Sequence, residues 1–282
     1  MKGAATDLPV LRPFRAPPVA ATGWSPVALA SAGAGATLAI LFAGSLAFAQ
    51  AAGAAREPAY VAVMRWTPLI VQGFLFNLLI SVLSMALGTA VGAMFGLGQL
   101  SQGAATRRLS WAATQFFRNA PWLVLLFYAM FLLPFEMRVA GVTISFPAWA
   151  KAVVGLALPV AANVSEIVRG GVRSIPLAQW ESAESLAFTR RQTLWMIILP
   201  QAVKRMTPPW MNLYAILTMA TTLISVVGIQ DGLTITRAAL VAESRPELMM
   251  PMYLLLLLLF FAYCYPIARA TLALERRFHV KG

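Results

Sequence analysis

From Pro251 to Ala270 the chain reads PMYLLLLLLFFAYCYPIARA, and this stretch decides the fold class. Its twenty residues, wound as a helix rising ~1.5 Å per residue, would span ~30 Å, the thickness of bilayer hydrocarbon. The full apolar segment runs 249–271, and five others precede it: 26–50, 67–98, 110–134, 148–168 and 209–230. Composition agrees. Of 282 residues, 60% are hydrophobic and 11% are charged, where a soluble domain carries about 25% charged residues. Lipid-facing surface needs no charge, so a bilayer accounts for the deficit. The expectation is an all-α integral membrane protein with about six transmembrane helices.

The formal net charge is +12. Its basic residues lie between the apolar runs rather than in one patch, which reads as a topology signal and not as a nucleic-acid face. With a cytoplasmic N-terminus and six alternating helices, one side holds Lys2, Arg12, Arg15, Arg107, Arg108, Arg169, Arg173, Arg190, Arg191, Lys204, Arg205, Arg269, Arg276, Arg277 and Lys281. The other holds only Arg56, Arg65, Arg138, Lys151, Arg237 and Arg245. That bias predicts that both termini are cytoplasmic.

Residues 1–24, with Pro9, Pro13, Pro17 and Pro18, read as a disordered cytoplasmic leader. Residues 25–52 read as an extra N-terminal transmembrane helix. An alternative is a signal peptide with a cleavage site at Ala47-Phe48-Ala49. In the second segment Gly88, Gly92 and Gly96 recur four apart. They give one helix face that either permits close packing or reflects the tolerance of membrane helices for glycine. There is one cysteine, Cys264, and one histidine, His279. Neither has the clustered partners that metal binding or nucleophilic catalysis needs, so no catalytic residue, metal site or cofactor is expected.

The connection at 174–200 is the informative loop. After Arg169-Gly170-Gly171-Val172-Arg173-Ser174-Ile175-Pro176 it reads LAQWESAESLAFTRRQTLWMIILP up to Pro200. Two short helices with a break are predicted. Ser174 would cap the first, Pro176 would sit in its first turn, and Thr189 with Gln192 would form a capping box for the second. Pro200 would mark a bend or an end. Trp180, Leu186, Phe188, Trp195 and Met196 are large and apolar beside small Ala183 and Ala187. Such a surface either docks in a partner's groove or packs on the chain's own helices.

Glu181-Ser182-Ala183, then three residues, Ala187, nine residues, and Ile197-Ile198-Leu199-Pro200 resemble the EAA loop of binding-protein-dependent ABC importer permeases. Ser182 replaces an alanine and Ala187 a glycine of that pattern. Phe117-Arg118-Asn119-Ala120-Pro121, Ser165-Glu166-Ile167-Val168-Arg169-Gly170-Gly171-Val172, the stretch Pro208 to Gly228, and Leu274-Glu275-Arg276-Arg277-Phe278 are similar to further segments of the polar amino-acid permeases. The similarity covers about 67–278, which the resemblance makes the transport domain. It implies a bacterial inner-membrane permease that pairs with a second permease subunit, the same or related. ATP-binding subunits would attach in the cytoplasm and a periplasmic solute-binding protein would deliver substrate. It also implies that the loop around Glu181 is the coupling element. The chain shows no Gly-x-x-x-x-Gly-Lys-Ser/Thr phosphate loop, so ATP hydrolysis is expected on another chain.

Candidates for a substrate path are fewer. Arg118 beside Asn119, and Glu166, are ionisable or polar groups at membrane depth. Glu166 and Arg169 can pair at i,i+3. Thr218, Thr222 and Ser225 share a helix face and could line a path or bond back to their own helix. An opine, an amine or another small solute would fit the same family. An ion-coupled secondary transporter should show more intramembrane carboxylates or inverted halves.

Overall fold

A computed structural model describes residues 26–53, 57–139 and 142–278. The expected leader at 1–24 and His279 lie outside the described residues. In chain order the elements are α1 (Pro26–Ala52), α2 (Ala59–Gln99), α3 (Ala104–Asn119), α4 (Trp122–Leu132), β1 (Glu136–Val139), β2 (Val142–Ser145), α5 (Ala148–Arg173), α6 (Leu177–Ser185) and the single turn α7 (Arg190–Gln192). A π-helical segment, Thr193–Ile198, leads into α8 (Leu199–Ala220), which tightens into a 3-10 helix at Thr221–Val227. α9 (Gly232–Glu243), a 3-10 turn at Pro246–Leu248 and α10 (Met249–Phe278) complete the fold.

Among the described residues, five helical runs are long and apolar enough to cross a membrane: 33–52, 59–99, 148–173, 190–227 and 246–277. The third expected segment is different. Pro121 restricts Ala120 to an extended conformation (φ −80°, ψ 138°). The stretch 110–134 therefore breaks into α3 and α4, and α4 with 11 residues reaches only ~16 Å. The fold class is all-α as expected, with one short hairpin. β1 and β2 pair antiparallel, with Met137 opposite Ile144, between α4 and α5.

α2 and α5 form the spine of the fold. Lipid tails are as apolar as leucine, so helices in a bilayer are held by close packing rather than by burial from water. The glycine face supplies that packing. A Cβ on Gly88, Gly92 or Gly96 would fall under 3.0 Å from side-chain atoms of Val160, Val164 and Val168 respectively. Around this seam Ile80, Leu126, Leu156, Leu217 and Ile224 are fully buried. Leu75, Leu79, Val82 and Leu257 are exposed, as lipid-facing residues should be.

The end of α1 packs as part of this body. Phe42, Leu46 and Ala49 lie against Ala59, Ala62, Val63, Leu248 and Met252. Gln50 Oε1 accepts from the Ala59 N–H at 2.8 Å, one of the first-turn donors of α2 that has no helical partner.

Candidate functional site

The loop at 174–200 folds as a compact knob. Ser174 does not start its first helix. It ends α5, where its hydroxyl donates to Gly171 O at 2.7 Å. The residue that opens α6 is Pro176, which has no N–H to satisfy. α6 closes with Phe188 N–H donating to Ala183 O at 3.1 Å and Ala187 N–H donating to Glu184 O at 2.9 Å. These are the two bonds of a Schellman motif, and its C′ position is Ala187 at φ 57°. An alanine there is strained by roughly 1–2 kcal/mol. Ala187→Gly should therefore stabilise the subunit by about 1 kcal/mol and raise its thermal midpoint in detergent by about 2–4 °C. An unchanged or lower midpoint would show that the turn is not strained.

Thr189 and Gln192 form the capping box, with Thr189 N–H donating to Gln192 Oε1 at 2.9 Å and Gln192 N–H to Thr189 Oγ1 at 3.4 Å. The helix that starts there does not stop at Pro200. It runs from Arg190 to Val227 without interruption. In a regular α-helix the Pro200 ring would meet the Met196 carbonyl. The π turn before it widens the helix, and Leu199 N–H reaches back to Leu194 O. The knob is thus the end of a membrane-crossing helix, not a separate appendage.

Its apolar residues divide. Trp180, Ile197 and Leu199 pack around buried Val172, Ile175, Ile198 and Ala202, and Ala183 is 2% exposed. Leu177, Leu186, Trp195 and Met196 face outward, between 56% and 71% exposed. Glu181 and Ser182 are exposed on the same knob. The Glu181 carboxylate makes no hydrogen bond or ion pair to any described residue.

Inside the membrane-crossing part, Glu166 pairs with Arg169 and lies 3.8 Å from Arg118. Gln99 Nε2 donates to Glu166 Oε1 at 3.3 Å and to Ser165 Oγ at 2.8 Å, which ties α2 to α5. Arg118, Asn163, Glu166 and Asn212 border one hollow of about 520 Å3. Asn119 lies outside it and donates to Gln115 O at 2.7 Å. Thr218, Thr222 and Ser225 each donate to a carbonyl of their own helix, those of Tyr214, Met219 and Thr222, at 2.9, 3.0 and 2.8 Å.

Two polar positions escaped the sequence reading. Lys151, counted as an external charge, is fully buried; its ammonium donates to Met130 O at 3.3 Å and sits 3.3 Å from the Phe135 ring centre. Asp231, also fully buried, caps α9 by accepting from Thr234 N–H at 2.8 Å and binds Asn77 Nδ2 at 3.2 Å. The Asp231 cap was readable, because an acceptor three residues before Thr234 opens a helix. Nothing local points to Asn77, which lies 154 residues away.

Over most of its length the chain is similar to known proteins. The chain is 32% identical over 211 residues to the probable amino-acid ABC transporter permease protein YckA of Bacillus subtilis, covering 75% of this chain and 89% of that protein. It is 29% identical over 206 residues to the probable glutamine ABC transporter permease protein GlnP of the same organism, covering 73% and 92%. A chain from the crystal structure of an amino acid ABC transporter with histidines superposes with a TM-score of 0.68 at 24% identity, covering 77% of this chain and 97% of that one. Residues 88–280 match the family described as the binding-protein-dependent transport system inner membrane component, and the chain belongs to that family.

Proposed function

We propose that this chain is the translocating permease subunit of an ATP-driven importer for amino acids or similar small polar solutes. The knob at 174–200 carries the reading. Exposed Leu177, Leu186, Trp195 and Met196 sit on the same small element as a free Glu181 carboxylate. That element is continuous with a helix running to Val227. A knob that only packed on its own chain would not present this surface. A separate ATP-binding chain would grip Glu181, Ser182 and Leu186, and Ala183, Ala187, Ile197, Leu199 and Pro200 would hold the knob's shape. Displacement of the knob would then travel along one helical run into the membrane.

A second permease subunit, a periplasmic solute-binding protein and ATP-binding subunits would complete the assembly. The solute would pass the hollow bordered by Arg118 and Glu166. The Thr218, Thr222 and Ser225 hydroxyls and the Asn119 amide already bond back to their own helices, which leaves them a lesser part. The leader 1–24, the helix at 25–52 and the transport domain 67–278 would be the working divisions. Retention of α1 is supported by Ala49, which is fully buried in one cluster with Ala59, Ala62, Val63 and Met252 of α2 and α10.

Both termini would face the cytoplasm. A tag after Gly282 should survive external protease on intact cells and be cut once the membrane is opened; cutting on intact cells would reverse the topology. Uptake tests the function itself. Vesicles holding the whole assembly should accumulate labelled amino acids when ATP is inside and ionophores are present. Accumulation that ignores ATP and collapses with the ion gradient would assign the chain to secondary transport.

A further inference from the structure

A hollow of about 530 Å3 opens beside the knob, where α2 ends at Gln99 and α5 ends at Arg173. Arg107, Arg173 and Arg190 line it, together with Gln99, Ser101 and Trp180, and no carboxylate does. None of the three arginines has an ion-pair partner among the described residues. Arg107 is aimed by two backbone acceptors, Ser101 O at 3.2 Å and Gln102 O at 3.3 Å. Arg190 lies over the Trp180 ring, 5.9 Å from its centre. Glu184 lines an adjoining hollow with Arg190 but forms no ion pair with it. Three arginines thus border one concavity that no carboxylate lines, and a planar guanidinium fork matches phosphate oxygens.

The surroundings favour a lipid as the source of that phosphate. α3, which carries Arg107 and Arg108 at its start, exposes Leu109, Trp111 and Phe116 at 71%, 55% and 67%. A basic helix start with an exposed apolar flank lies at a headgroup layer. The hollow also sits where two apolar helices stop, at headgroup depth for a membrane-crossing chain.

We propose that the hollow bordered by Arg107, Arg173 and Arg190 binds the phosphate of an anionic phospholipid headgroup. Trp180 and Arg190 belong to the knob, so an occupied site braces the knob against α2 and α5.

The test uses the full chain in detergent, titrated with phosphatidylglycerol, with phosphatidylcholine and with inorganic phosphate, and read by native mass spectrometry. Phosphatidylglycerol should bind the wild type at least about tenfold more tightly than it binds R107Q/R173Q, each lost arginine removing roughly 1 kcal/mol. The control R237Q, an exposed arginine on α9, should bind as the wild type does. If the double variant does not fold, R173Q alone removes an exposed side chain with no hydrogen bond to any described residue, and should still lose several-fold. Equal binding by the double variant, or equal binding of phosphatidylcholine, overturns the site. Inorganic phosphate binding as well as phosphatidylglycerol overturns the lipid assignment. So does a double variant that keeps its lipid but loses an ATP-binding partner, since the arginines would then serve that protein.

Discussion

Glu181→Lys should reduce ATP-dependent uptake by at least about thirtyfold while the subunit stays in the membrane at its normal level. Two facts produce this separation. The carboxylate is exposed and makes no hydrogen bond or ion pair to any described residue, so its loss should change folding stability by no more than about 0.5 kcal/mol. In the assembly it would meet a donor on the ATP-binding chain, and truncating or reversing one partner of a docked charge pair costs 2–5 kcal/mol or more. Uptake and membrane abundance, measured on the same cells, give the answer. Normal uptake would remove Glu181 from the coupling role. Lost abundance would make it a folding residue instead.

Gly92→Val should destabilise the subunit by about 3 kcal/mol or more, an effect at the upper end of overpacking. The new Cβ would lie 2.5 Å from the Ala161 carbonyl oxygen and 2.7 Å from Val164 Cβ. The first neighbour is backbone and cannot rotate away, so α2 and α5 must separate. Gly170 on α5 has nothing within 4 Å of its would-be Cβ. Gly170→Ala should therefore be neutral or stabilising by about 0.5–1 kcal/mol. Thermal midpoints of the two variants in detergent should move in opposite directions, or at least only the first should fall. Equal behaviour would mean that the glycine face is only tolerated and does not set the packing.

The contrast between these positions shows what a sequence carries. Apolar length sets the spans, so α1, α5 and α10 lie close to where hydropathy puts them. The glycine spacing was visible, but the choice between packing face and tolerated glycine needed the Val160, Val164 and Val168 ladder across the seam. Pro121 was in plain view and still escaped as a break, because apolar residues continue on both sides of it. Pro200 had the opposite fate: it read as a bend or an end, and a π turn absorbs it while the helix continues. Trp180 could not be sorted from Trp195 by composition. Only the fold sends the first inward onto Ile198 and the second outward. Lys151 counts as an external charge in any loop tally, whereas its burial under Phe135 depends on the β1–β2 hairpin.

Purification from native membranes under mild detergent addresses the central claim directly. A knob built to seat in a nucleotide-driven neighbour should bring down a second polypeptide that hydrolyses ATP, and the Glu181→Lys protein should bring down much less of it. Recovery of the wild-type chain with no such companion, or ATP turnover by the isolated chain itself, would contradict the account.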